Sequence, residues 1–271
     1  MNKMIRKTLT AFAVSAVCAL SANVASAQSA LFPDFVINPI GTPTNFTADK
    51  ITGNYVEIAN FNPNGTFNVS LYWKAAAFVS NDGETQLDAG DTRLGVDYGL
   101  YALYTANGTY SQNGSATTFN FTPGTGSLEV YLDPNRNTVF TAGTSGDFTS
   151  TGTLGDVLLA SGEPLAGQGT LNRSLPTCGA GGGSGINCGS FGSTTSFELT
   201  ADGSQYFVEP SPFYQLSFQS GQLNNFTPAG RQVINGSLDV AFGEVPEPAS
   251  LALLGLGLVG LGLSRRRSKQ A

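Results

Sequence analysis

Apolar and polar residues alternate in short runs through most of the chain. Phe67, Val69, Leu71 and Trp73 are each separated by one residue, and Leu128, Val130 and Leu132 repeat the spacing, as do Leu238, Val240 and Phe242. A period of two turns one face of an extended strand to a core and the other to solvent. Tyr98 to Tyr104 is apolar on both faces and predicts a central strand. Gln205 to Val208 and Phe213 to Phe218 read as two more strands, split by Pro210 and Pro212, and Ala75-Ala76-Ala77 as the end or bulge of a strand. Turn pairs punctuate these runs at Asn64-Gly65, Asp82-Gly83, Asn107-Gly108, Asn113-Gly114, Asp202-Gly203 and Asn235-Gly236. No stretch between Gln28 and Val245 keeps a long 3.6-residue period. The pattern predicts an all-β fold, an antiparallel β-sandwich of roughly ten or more strands. Residues 142–153 and 161–193 are poor in apolar side chains and rich in Gly, Ser and Thr, and read as long surface loops.

The two ends break this pattern, and helices are expected only there. Lys3, Arg6 and Lys7 precede a largely apolar run from Thr8 to Leu20, and Ala25-Ser26-Ala27 stands before Gln28. That order is a secretory signal peptide over residues 1–27, with signal peptidase cutting between Ala27 and Gln28. At the other end Pro246, Glu247 and Pro248 precede an apolar run from Ala249 to Leu263, which is followed by Arg265, Arg266 and Arg267. The prolines hold their neighbourhood extended, as a peptide entering a protease cleft must be. The run partitions into a bilayer and the arginines stop it on the cytoplasmic side. Its length is roughly 22 Å, against the ~20 residues of a stable span, and four glycines weaken it as a helix. Transient inner-membrane contact through 249–263 suits it better than permanent residence. The chain thus divides into a signal peptide, a secreted domain over 28–245 and a sorting segment over 246–271.

Charge and composition narrow the chemistry of the exported part. It holds 6 basic and 18 acidic side chains, so about −12, against −6 for the whole chain. So few Lys and Arg cannot neutralise phosphates, which excludes nucleic acid as a partner. The chain has no histidine, which removes Ser-His-Asp and Cys-His catalysis and His-based zinc sites. A carboxylate pair of the glycosidase kind is the common hydrolytic chemistry left, and surface carboxylates are its bland counterpart. Cys178 and Cys188 flank a Gly-rich loop, and an even pair in an exported protein predicts a disulfide.

Two acidic constellations are candidate Ca²⁺ sites. Asp82, Glu84, Asp88 and Asp91 crowd one predicted hairpin loop, and Asp133 alternates with Asn135 and Asn137. Oxygen ligands alternating along a loop can converge on one hard cation, although neither segment is an EF-hand and solvated turns are the simpler reading of both. Otherwise no cofactor is expected. Trp73 continues an inward stripe and reads as core; Tyr110, Tyr206 and Tyr214 are the candidate exposed rings for stacking on a sugar.

The C-terminal order of Pro-Glu-Pro, apolar run and Arg cluster resembles the PEP-CTERM sorting signal of Gram-negative bacteria that make extracellular polysaccharide. The resemblance implies processing by exosortase, a membrane-embedded cysteine transpeptidase, and no catalytic residues in this chain. Phe46 to Glu57, Tyr98 to Ala102 and Val208 to Tyr214 resemble segments of flocculation-associated PEP-CTERM proteins. Together these imply a non-enzymatic protein of the cell surface or extracellular matrix, reached after transient inner-membrane retention, that acts with exopolysaccharide in flocculation or biofilm. A carbohydrate-binding module is the first alternative and a carboxylate-dependent glycosidase the second.

Overall fold

The computed structural model describes residues 32–40, 44–144, 147–178, 185, 187–220 and 223–243. Strands β1 (Phe35–Ile37), β2 (Phe46–Ala48), β3 (Lys50–Phe61), β4 (Thr66–Ser80) and β5 (Thr85–Gln86) lead to a short helix α1 (Ala89–Thr92). Strands β6 (Gly99–Asn113), β7 (Ala116–Asp133), β8 (Val139–Ala142), β9 (Phe148–Thr151), β10 (Val157–Gly162), β11 (Pro164–Asn172), β12 (Gly189–Thr195) and β13 (Glu198–Leu199) follow. A second short helix α2 (Gly203–Tyr206) precedes β14 (Phe207–Glu209), β15 (Gln215–Ser220) and β16 (Gly230–Gly243).

The chain is all-β, but the expected sandwich is wrong. Eight antiparallel strands, in the order β11-β12-β15-β16-β3-β4-β6-β7, close on themselves because β7 pairs with β11. The closure rests on β7. This 18-residue strand pairs with β6 along its length. On its other edge its first residues, Ala116 to Asn120, take β11 and its last third takes β10. Barrel and sandwich alike bury one face of each strand, so alternation alone cannot separate them. A barrel also abolishes the edges at which an open sheet could pair with another chain.

The segment 161–193, expected as a loop, supplies the closing staves β11 and β12. Its low apolar content has a packing cause. Gly169 faces Phe119 in register, and a Cβ there would stand 3.3 Å from the Phe119 ring and 3.0 Å from Phe191. At Gly167 a Cβ would stand 2.6 Å from the Phe121 ring. Small inward residues on β11 make room for large ones on β7 and β12, the size alternation of a small filled barrel.

The other strands follow the alternation. β4 buries Phe67, Val69, Leu71 and Trp73, β7 buries Leu128, Val130 and Leu132, and β16 buries Leu238, Val240 and Phe242. The register shift opposite Thr52 and Gly53 skips Ala76, so the alanine triplet is a bulge. Gly65, Gly83 and Gly114 take positive φ in connecting turns. Asn107-Gly108 and Asn235-Gly236 instead lie inside β6 and β16, and Gln205 and Tyr206 belong to α2, not to a strand.

Aromatic clusters fill both ends of the barrel. At one, Phe35 of β1 and Phe213 pack on Phe242 with ring centroids 4.8 and 5.2 Å apart. At the other, Phe226 stacks on Phe61 at 5.8 Å and on Phe119 at 6.1 Å. The β8–β9 hairpin covers part of the outer wall, where Phe140 lies 4.7 Å from Tyr72 and 5.6 Å from Tyr101.

Cys178 and Cys188 are bonded and both fully buried. Loop-closure entropy for a separation of 10 residues gives roughly 2–3 kcal/mol. Replacing both with Ser is expected to lower stability by about that amount while far-UV circular dichroism keeps its β signature. Thiol labelling of the denatured, unreduced protein should find no free cysteine.

Candidate functional site

The outer wall over β11, β12 and β15 carries a row of uncharged polar groups. In register, Asn120 of β7 stands opposite Gln168 of β11, Gln168 opposite Gly192 of β12, and Gly192 opposite Gln219 of β15. Asn120, Gln168 and Gln219 are exposed. Gly192 has no side chain, so the amides of Gln168 and Gln219 flank a gap floored by backbone. The row above holds Thr170 opposite Ser190, and the row below holds Thr194 opposite Ser217, whose hydroxyls are 3.4 Å apart.

Two contiguous depressions occupy this wall. One of about 390 Å³ is lined by Asn120, Pro123, Gln168, Gly192, Thr194 and Gln219 among others; the second, of about 530 Å³, shares Gln168, Gly192 and Gln219. No charged residue lines either. The nearest charge along the row is Asp239, opposite Gln219, and it is paired with Lys50 at 3.1 Å. Amides and hydroxyls each offer both a donor and an acceptor, which suits the binding of vicinal hydroxyls without a charge.

The acidic candidates are dispersed. Asp82 and Glu84 lie in the turn between β4 and β5. Asp88 caps α1, accepting from the Gly90 N–H at 2.6 Å, and Asp91 lies within that helix. Asp133 is buried, and its two carboxylate oxygens accept from the backbone N–H groups of Asn135 at 3.0 Å and Thr138 at 2.9 Å. Its side chain therefore staples the loop after β7. Among the described residues no group of three or more His, Cys, Asp or Glu is placed to hold a metal ion.

The aromatic candidates also divide. Tyr206, expected exposed, is 3% exposed, and its hydroxyl donates to that of Tyr98 at 2.9 Å. Burial pushes the Tyr98 phenol up to about 12. Tyr110 and Tyr214 are half-buried, donating to the carbonyls of Asn62 and Asp34. All three hydroxyls are engaged within the domain.

Sequence reasoning missed the amide row, because which outward residues become neighbours depends on register. It also missed Glu57, an inward residue of β3 only 8% exposed. Burial alone pushes its carboxyl up to about 7.

The cleavage pair Ala27 and Gln28, the motif Pro246, Glu247 and Pro248, the run 249–263 and Arg265, Arg266 and Arg267 lie outside the described residues. Among the described residues no helix is long and apolar enough to cross a membrane. No curated protein and no solved structure matches the chain. Residues 244–267 match the family described as the PEP-CTERM protein-sorting motif. The chain carries that motif, and with it the mark of an extracellular protein sorted by exosortase.

Proposed function

We propose that the exported barrel is a non-enzymatic protein of the extracellular matrix that holds exopolysaccharide through the groove over Gly192, and that it acts there in flocculation or biofilm. The observation that carries this reading is the uncharged row Asn120–Gln168–Gly192–Gln219 on an otherwise acidic protein. A net charge of about −12 on the exported part repels an acidic polymer at low salt. A neutral stretch of glycan meets no such repulsion, and its hydroxyls match the amides and hydroxyls of the groove. Sorting to the cell exterior brings the protein to such polymers.

Gln168→Ala combined with Gln219→Ala tests the reading. Each amide hydrogen bond contributes about 1 kcal/mol, so the pair should weaken retention on neutral exopolysaccharide roughly 5- to 30-fold. Sedimentation of the mature protein with purified polysaccharide measures it, and thermal melting should be unchanged because both residues are exposed. Equal retention of the double variant and the parent would remove the groove from the reading. Retention confined to acidic polymer in the presence of Ca²⁺ would replace it with cation bridging.

A further inference from the structure

Glu57 stands inside the barrel with Ile234 of β16 on one side and Leu71 of β4 on the other. At 8% exposure it is more than nine-tenths buried, and no described residue donates a hydrogen bond to its carboxyl. It lines a cavity of about 30 Å³ whose walls include Phe61, Phe67, Phe119, Phe121, Phe191 and Phe226. Phe226 belongs to the connection between β15 and β16 and is half-buried, so the cavity reaches toward solvent on its side.

A carboxylate in such a place is costly unless a proton or a counter-ion neutralises it. None of the basic residues Lys50, Lys74, Arg93, Arg136, Arg173 and Arg231 lines the cavity. The titratable groups on neighbouring inward positions are the phenols of Tyr55 on β3 and Tyr104 on β6, and Tyr104 is engaged with Ser193 at 2.8 Å. Six Phe rings border the cavity, and an aromatic ring attracts a cation over its face. A hard divalent ion wants six to eight oxygens, and one carboxyl offers two.

We propose that this cavity is a binding site for a primary ammonium group, with Glu57 as its counter-ion and the phenylalanine faces as its cage. The cavity is large enough for a water-sized group, and an ammonium nitrogen is of that size. The rest of the ligand leaves past Phe226. The cavity shares Phe121 and Phe191 with the linings of the groove over Gly192, but Glu57 faces the interior whereas Gln168 and Gln219 are exposed on the outer wall, so their substitutions test the two sites individually.

Binding needs ionised Glu57, so it strengthens as pH rises through about 7. The test is thermal melting of the mature secreted protein at pH 7.5 and pH 5. The probes are methylammonium chloride against sodium chloride of equal ionic strength, and glucosamine against glucose. At ten times its Kd either amine should raise Tm by roughly 3–6 °C at pH 7.5. The rise should vanish at pH 5 and in Glu57→Gln. A response to methylammonium alone assigns the site to a small free amine; a response to both admits an amine carried on a sugar. No response to either amine at pH 7.5, or a response kept in Glu57→Gln, overturns the proposal. The pH comparison in the unaltered protein decides the matter even where the variant folds poorly.

Discussion

Glu57→Gln should stabilise the protein at pH 8 by about 3 kcal/mol and leave it nearly unchanged at pH 4.5. Burial raises the folded-state carboxyl from 4.5 to about 7. Below pH 4.5 both folded and unfolded chains hold the proton. Between the two values the unfolded chain has released it and the folded chain has not, so folding takes up a proton and stability falls as pH rises. Above about pH 7 both states are ionised and the loss levels off. One pKa unit is worth about 1.4 kcal/mol, which gives the total. The amide has the same shape and no charge to desolvate, so its curve should lack this descent. The expected difference in Tm at pH 8 is roughly 6–12 °C for a domain of this size. Asp97, held low by the Arg93 guanidinium, titrates in the opposite sense but is common to both proteins. Urea melts from pH 4.5 to 8.5 measure the difference, and parallel curves would show that Glu57 does not titrate in this window.

How much of this was legible beforehand depends on how local each signal is. The sorting tail is linear: motif, apolar run and Arg cluster stand in order and need no fold to be read. The strands β4, β7 and β16 were legible for a similar reason, because alternation is a property of neighbours in sequence. Closure is not local. It depends on β7 turning from β10 to β11 along one edge, and on Gly167 and Gly169 being small where Phe119 and Phe121 are large. A glycine-rich segment read alone looks like a loop; read against its partner strand it is a stave.

The two sites divide in the same way. The amide row joins residues 120, 168, 192 and 219, and only register brings them together. Glu57 left a trace in the sequence. Ile51, Tyr55, Ala59 and Phe61 form an alternating stripe, and Glu57 occupies one of its inward positions. A carboxyl inside an apolar stripe marks either a misread face or a buried acid, and the structure makes it the second. For the acidic loop residues the structure shows another use of a carboxylate. Asp88 and Asp133 were attractive as ligands because they lie in turns, and turns are where a carboxylate serves as a cap.

Trp73→Ala should cause the largest loss of stability, about 3–5 kcal/mol, the usual cost of emptying a buried aromatic site. Trp73 is 1% exposed, and its indole N–H donates to the carbonyl of Leu238 at 3.0 Å. Leu238 belongs to β16, which is separated from β4 by β3. The residue opposite Leu238 on β3 is Gly53, where a Cβ would stand 2.5 Å from the indole nitrogen. The ring therefore crosses a strand through the space a side chain would fill, and ties together three consecutive staves. Trp73→Phe separates the two parts of that contribution. It keeps most of the buried ring but leaves the Leu238 carbonyl without its donor, which should cost about 1–3 kcal/mol. Because Trp73 is the sole tryptophan, its blue-shifted emission reports on the barrel interior in the parent protein, and circular dichroism must follow both variants. Equal losses for Phe and Ala would place the whole contribution in the hydrogen bond. A loss below about 1 kcal/mol in Trp73→Ala would mean that the barrel does not close around this ring.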